Sequence, residues 1–157
     1  MKSKLLFTAL SIISLAQIQP AAAQSPSEDM TAINMHNLFQ KQCYDKFPFI
    51  EKIRDEARVG NWVVGPTHKG KPVSWAINEG LDNFSIMAIE SPSNSSMTCE
   101  VRGKVSEVAA VSAFENIYAS QIGAVRTSQY ENAWTTPNGR ITIQTSPDGR
   151  ASVLLSK

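Results

Sequence analysis

The stretch Gly65-Pro66-Thr67-His68-Lys69-Gly70-Lys71 has the glycine and lysine spacing of a phosphate-binding loop. That chemistry needs backbone N–H groups ringed around phosphate, a lysine on the outer oxygens and a Ser or Thr hydroxyl on magnesium. The hydroxyl position is Pro72, which has neither hydroxyl nor N–H and pushes Lys71 out of the helical region. The segment is therefore read as an exposed basic loop, with His68, Lys69 and Lys71 as candidates for holding an anionic ligand or partner. Trp62 and Trp75 bracket it. Aromatic rings beside basic groups recognise peptides, sugars and protein surfaces. Trp62, His68, Lys69, Lys71 and Trp75 form the candidate binding set. All three tryptophans, Trp134 included, fall in predicted strands, where core packing is the competing explanation.

Catalytic constellations are weaker. A Ser–His–Asp arrangement must draw on one of two histidines. His36 follows Met35 on a predicted helix and reads as a surface or half-buried residue, and no Gly-x-Ser-x-Gly elbow occurs. His68 has many serines and acids for company, with no motif choosing among them. Glu51 and Asp55 stand four apart on a predicted helix, and Glu79 and Asp82 flank a predicted turn. Acid–base cleavage of sugars needs two acids facing across a groove, which linear spacing does not encode. A Cys–His nucleophile would need Cys43 or Cys99 to stay reduced. A zinc site would have one cysteine, His36, His68 and carboxylates to draw on, without supporting spacing. No metal and no cofactor are expected.

Cys43 and Cys99 are the only cysteines, and no Cys-x-x-Cys pair exists to suggest redox exchange. Their pairing depends on compartment, and the N-terminus supplies one. Lys2 and Lys4 precede a mostly apolar run from Leu5 to Ile18, and Pro20-Ala21-Ala22-Ala23 leads to Gln24. This is the pattern of a cleaved export signal over residues 1–23. The run is broken by Ser11, Ser14 and Gln17, unlike a spanning helix. The bacterial periplasm or the secreted space is the expected location, and there a Cys43–Cys99 disulfide is the default. Asn94-Ser95-Ser96 matches a glycosylation acceptor, which matters only in a eukaryotic secretory route.

Of 157 residues, removal of 23 leaves 134, the size of one ordinary domain at 24–157. Loss of Lys2 and Lys4 takes 15 basic residues to 13 against 14 acidic, a formal net charge of −1. Near-neutrality without charge runs argues against nucleic acid and against electrostatic membrane binding. No stable membrane insertion is expected.

The elements that must position these residues follow from periodicity. Met35, Leu38, Phe39, Cys43 and Phe47 recur at helical spacing, with Lys41, Gln42 and Asp45 on the other side and Ser27 or Thr31 as cap. Pro48 breaks this helix or starts a second, whose stripe is Phe49, Ile50, Ile53 and Ala57. Glu51, Arg54, Asp55 and Arg58 are its solvated side, and Gly60 is its stop. The period then changes to two. Strands are predicted at 62–64, 73–77, 84–89 and 97–101, with turns at Asn78-Glu79-Gly80 and around Pro92. Ser106 caps a third helix with Val108, Val111, Phe114 and Ile117 or Tyr118 as its apolar face. Strands 129–134, 140–145 and 150–155 follow, separated by Asn138-Gly139 and Asp148-Gly149, dipeptides that mark tight turns. Both halves read helix then strands, but no internal repeat is strong enough to use.

The predicted architecture is α+β: an antiparallel sheet with an N-terminal helical pair and a central helix packed on one face, ending in a three-stranded meander. The predicted function is a small exported binding or interaction protein without catalysis, a class that includes enzyme inhibitors. Its partner would be a protein or a small anionic, peptide or sugar ligand. An exported hydrolase using His68 or a carboxylate pair is the alternative. A structural envelope role is the third reading.

Overall fold

The computed structural model describes residues 26–47, 49–79, 84–92 and 96–157. The expected export signal, Pro48, Gly80, Asp82 and the Asn94-Ser95 part of the glycosylation match lie outside the described residues. No helix among the described residues is long and apolar enough to cross a membrane.

Helix α1 (Pro26–Gln42) leads through a 3-10 turn (Tyr44–Lys46) to α2 (Ile50–Val59). Strands β1 (Val63–Val64), β2 (Thr67–His68), β3 (Lys71–Pro72), β4 (Ser74–Glu79), β5 (Phe84–Glu90) and β6 (Met97–Gly103) come next. Helix α3 (Glu107–Ala113) continues into a π turn (Phe114–Tyr118). Strands β7 (Val125–Arg126), β8 (Ala133–Thr136), β9 (Gly139–Thr145) and β10 (Ala151–Ser156) complete the chain. Eight strands form one antiparallel sheet in the order β1-β4-β5-β6-β10-β9-β8-β7. The order is symmetric about the β6–β10 junction, where Val153 faces Val101 and Leu155 faces Cys99.

All three helices cover one face, so the strands alternate between two environments. Phe84, Ile86 and Ala88 of β5, Cys99 and Val101 of β6, Ile141 and Ile143 of β9, and Val153 and Leu155 of β10 are buried beneath them. Met35, Phe39, Cys43 and Phe47 come down from above, as their spacing predicts. Cys43 and Cys99 are bonded, with Cα atoms 5.6 Å apart across 56 positions of sequence. The bridge fixes the end of α1 to the sheet centre. Gly103 lets α1 come close: a Cβ there would stand 2.7 Å from Met35 Sδ and 2.8 Å from the Phe84 ring. On the helix-free face Glu100 is buried with its charge met. Arg102 donates to it through Nε at 2.7 Å and Nη2 at 2.9 Å, and Ser152 Oγ donates as well.

The third helix departs from expectation. Ser106 caps it, accepting from Ala109 N–H at 3.2 Å. Its buried face, however, is Ala109, Ala110, Ala113 and Phe114, while Val108 is 69% exposed. The reason is tertiary. The helix packs on α1, and small residues let the two backbones approach. Glu28 Oε1 accepts Ser106 N–H at 2.8 Å, which holds the Glu28 carboxyl below its usual range. His36 Nε2 donates to Ala110 O at 2.7 Å, and Tyr118 OH donates to Asn37 Oδ1 at 2.7 Å. His36 is thereby enclosed rather than at the surface, and its ring lies 5.5 Å from that of Phe114 and 5.3 Å from that of Tyr118. Burial lowers its pKa to about 4.

Smaller corrections have equally local causes. Gln42 is buried, accepting from Lys46 Nζ, instead of lying on the solvated side of α1. Ser27 and Thr31 sit inside α1, where Thr31 Oγ1 donates to Ser27 O at 2.9 Å. Phe49 is exposed rather than part of the buried stripe of α2. Gly60 does cap α2, its N–H bonding Glu56 O at 2.7 Å, but at negative φ; the left-handed residue that follows is Asn61 at φ 53°. Asn78 and Glu79 extend β4 instead of turning. Residues 129–132 are a loop, and the C-terminal meander has a fourth, short member in β7.

Candidate functional site

The basic segment 65–72 is not a loop. Val63 lies opposite Ala76, Val64 opposite Trp75, Thr67 opposite Pro72 and His68 opposite Lys71. Between these pairs, Gly65 N–H bonds Ser74 O and Val73 N–H bonds Pro66 O, each at 2.9 Å. Val63–His68 therefore runs back along Lys71–Ala76 in one continuous register, as a single hairpin. Its two-residue turn is Lys69-Gly70, at φ 50° and 76°, the positive pair that matches the twist of two flanking strands. Gly65 is required where the arms touch, since a Cβ there would collide with Ser74 Oγ.

Helix α2 lies against the base of this hairpin. Ile53 and Ala57 anchor it in the core, and the chain turns sharply after Gly60, so that Trp62 N–H bonds Ala57 O at 2.9 Å. Between helix and hairpin is an open groove of about 480 Å³. Arg54, Ala57 and Arg58, one face of α2, make its first wall, with Asn61 at the end of that helix. Val64, Lys71 and Pro72 make the second. Trp62 and Trp75 are its floor; at only 7% and 6% exposed they pack as core, as the competing explanation has it, and still border the groove.

Three cations and no carboxylate line this space. Arg54 is partly neutralised, donating to Glu90, and stands with its guanidinium 5.8 Å from the Trp75 ring centroid. Arg58 pairs with Asp55 at 3.3 Å, but both side chains are strongly exposed and such a pair contributes little. Lys71 has no carboxylate within ion-pairing distance among the described residues.

His68 and Lys69 are not in this groove. They border a second, smaller recess of about 230 Å³, with Val73, Glu90, Ser91 and Pro92. Arg54, Lys71 and Pro72 border both spaces. The structure thus brings Trp62, Lys71 and Trp75 together and sets His68 and Lys69 apart. Sequence reading missed Arg54 and Arg58, taken as a solvated face. The available signal was their i, i+4 spacing flanking buried Ala57 in the last turns of a helix that ends at Val59, shortly before Trp62.

The catalytic alternatives are dispersed. His36 is under α3 and His68 is at the hairpin tip. Glu51 and Asp55 are both exposed on the outer side of α2. No group of three or more His, Cys, Asp or Glu side chains among the described residues is arranged to hold a metal. No protein-family profile, curated protein or solved structure matches this chain.

Proposed function

We propose that this is an exported, non-catalytic binding protein. Its site is the groove between α2 and the long hairpin, and its ligand carries an anionic group beside a flat or apolar body. The observation that carries this reading is the convergence of Arg54, Arg58 and Lys71 over the Trp62 and Trp75 floor, without a lining carboxylate. A cationic rim on a low-polarity floor strengthens each charge contact, because the floor excludes water. The export reading rests on the signal-like residues 1–23 and agrees with the disulfide, a bond that persists in oxidising compartments.

The test is a titration of indole fluorescence with aryl carboxylates, aryl phosphates and acidic sugars, each beside a neutral counterpart. The groove reading expects saturable change with at least one anionic member and at least tenfold weaker binding of its neutral twin. Equal binding of charged and neutral partners would overturn it.

A further inference from the structure

The groove is bounded by a free sheet edge. Strand β1 is the terminal strand, paired only to β4. The bond from Gly65 N–H to Ser74 O fixes the phase of the ladder: Val63 exchanges its backbone bonds with Ala76, while Val64 faces Trp75 at a non-hydrogen-bonded position. The N–H and C=O of Val64 therefore point away from β4, toward the open edge. The Val64 side chain is 55% exposed and lines the groove. One residue thus offers a donor and an acceptor without partners among the described residues, and an apolar contact, beside Arg58 and Lys71.

We infer that the ligand is the C-terminal end of a peptide. The peptide adds as a short strand along β1 and places its terminal carboxylate among the groove cations. This rests on the proposed reading of the groove and names its ligand class. Strand addition takes affinity from main-chain bonds to an exposed edge and specificity from pockets for alternate side chains. A residue paired with Val64 satisfies the edge N–H and C=O. Side chains of an added strand alternate between faces, so those on the Val64 side enter the groove over Trp62 and Trp75. The three cations match one free carboxylate, which the main chain of a peptide supplies only at its C-terminus. Exposed Val63 and Val64 on an unprotected edge are otherwise a hazard for self-pairing, and a ligand that covers them removes it.

The experiment uses a degenerate library of N-acetylated pentapeptides with free C-termini, its C-amidated twin and single N-acetyl amino acids, all offered to the immobilised mature protein. Retained peptides are sequenced, and amide hydrogen exchange is followed by NMR with a retained peptide. The expected result is at least tenfold greater retention of the free-acid library, apolar or aromatic residues enriched at the last position, and at least tenfold slower exchange at Val64. The double variant R58E/K71E should lose the preference for free acid while keeping its melting temperature. Equal retention of both libraries, retention of neither, or unchanged Val64 exchange overturns the chain-end proposal. If single N-acetyl aromatic acids bind as tightly as any peptide and R58E/K71E abolishes that binding, the chain-end proposal fails while the anionic-ligand reading stands.

Discussion

Arg54 holds its guanidinium 5.8 Å from the centroid of the Trp75 ring while donating to the Glu90 carboxylate. The pair joins α2 to β4, and the ion pair joins the same arginine to the end of β5. Arg54 is therefore pre-positioned over the groove floor but shares its charge with a neighbour.

Removing that competitor should strengthen anion binding. Glu90→Gln keeps a hydrogen-bond acceptor for Arg54 and deletes one negative charge. We expect the dissociation constant of an anionic groove ligand to fall about three- to tenfold at low salt, with less effect at high salt. Fluorescence titration at two ionic strengths checks this. Weaker binding by the variant would mean that Glu90 matters by orienting Arg54.

The enclosed His36 should make stability pH-dependent. Its folded pKa is lowered to about 4, so between pH 6.5 and 4 the unfolded chain binds the proton and the folded chain does not. Stability is therefore fully present above pH 6.5 and falls as pH drops toward 4. The loss from this residue is about 3 kcal/mol. Urea unfolding of wild type and His36→Gln across this range should show the steeper decline in wild type. Parallel pH profiles would refute the assignment.

The Cys43–Cys99 bond closes a long loop and should contribute substantially. On the chain-entropy account its removal costs about 4 kcal/mol. The Cys43→Ala/Cys99→Ala variant should show a correspondingly lower urea midpoint with groove binding retained below the transition. Thiol titration of the denatured native protein should detect no free cysteine.

Helix α3 offers a direct comparison of two small substitutions. Val108→Lys, on the exposed face, should change stability by no more than about 0.5 kcal/mol. Ala110→Leu inserts bulk where α1 and α3 meet and should cost about 1–3 kcal/mol. Thermal melts of the two variants decide which face is buried.

These corrections show what periodicity carries and what it does not. The Cys43–Cys99 bond was legible because both residues fall on buried faces of well-patterned elements in a chain whose first 23 residues read as an export signal. The C-terminal hairpins were legible because each carries a positive-φ glycine at its turn, Gly149 within the turn and Gly139 directly after Pro137-Asn138 as the first residue of β9. On α3, Phe114 and Tyr118 are buried and Val111 and Ile117 pack on the core as periodicity expects, but Val108 is exposed and Ala109, Ala110 and Ala113 are buried, because close packing on α1, a helix some 70 positions away in sequence, selects small residues. The hairpin over 65–72 was hidden by Pro66 and Pro72, which suggest a loop, although Lys69-Gly70 marks the turn. Within the candidate site, Trp62, Lys71 and Trp75 were found from local sequence. Arg54 and Arg58 were not, because a charged helix face looks the same whether it faces solvent or a groove.

The measurement that bears most directly on the groove is affinity of the Arg58→Glu/Lys71→Glu variant for the best anionic ligand of the panel, beside its melting temperature. Both side chains are exposed and neither supports the core. The account predicts at least tenfold weaker binding with an unchanged melting temperature. Unchanged affinity in a folded variant would contradict it and place the binding site elsewhere on the molecule.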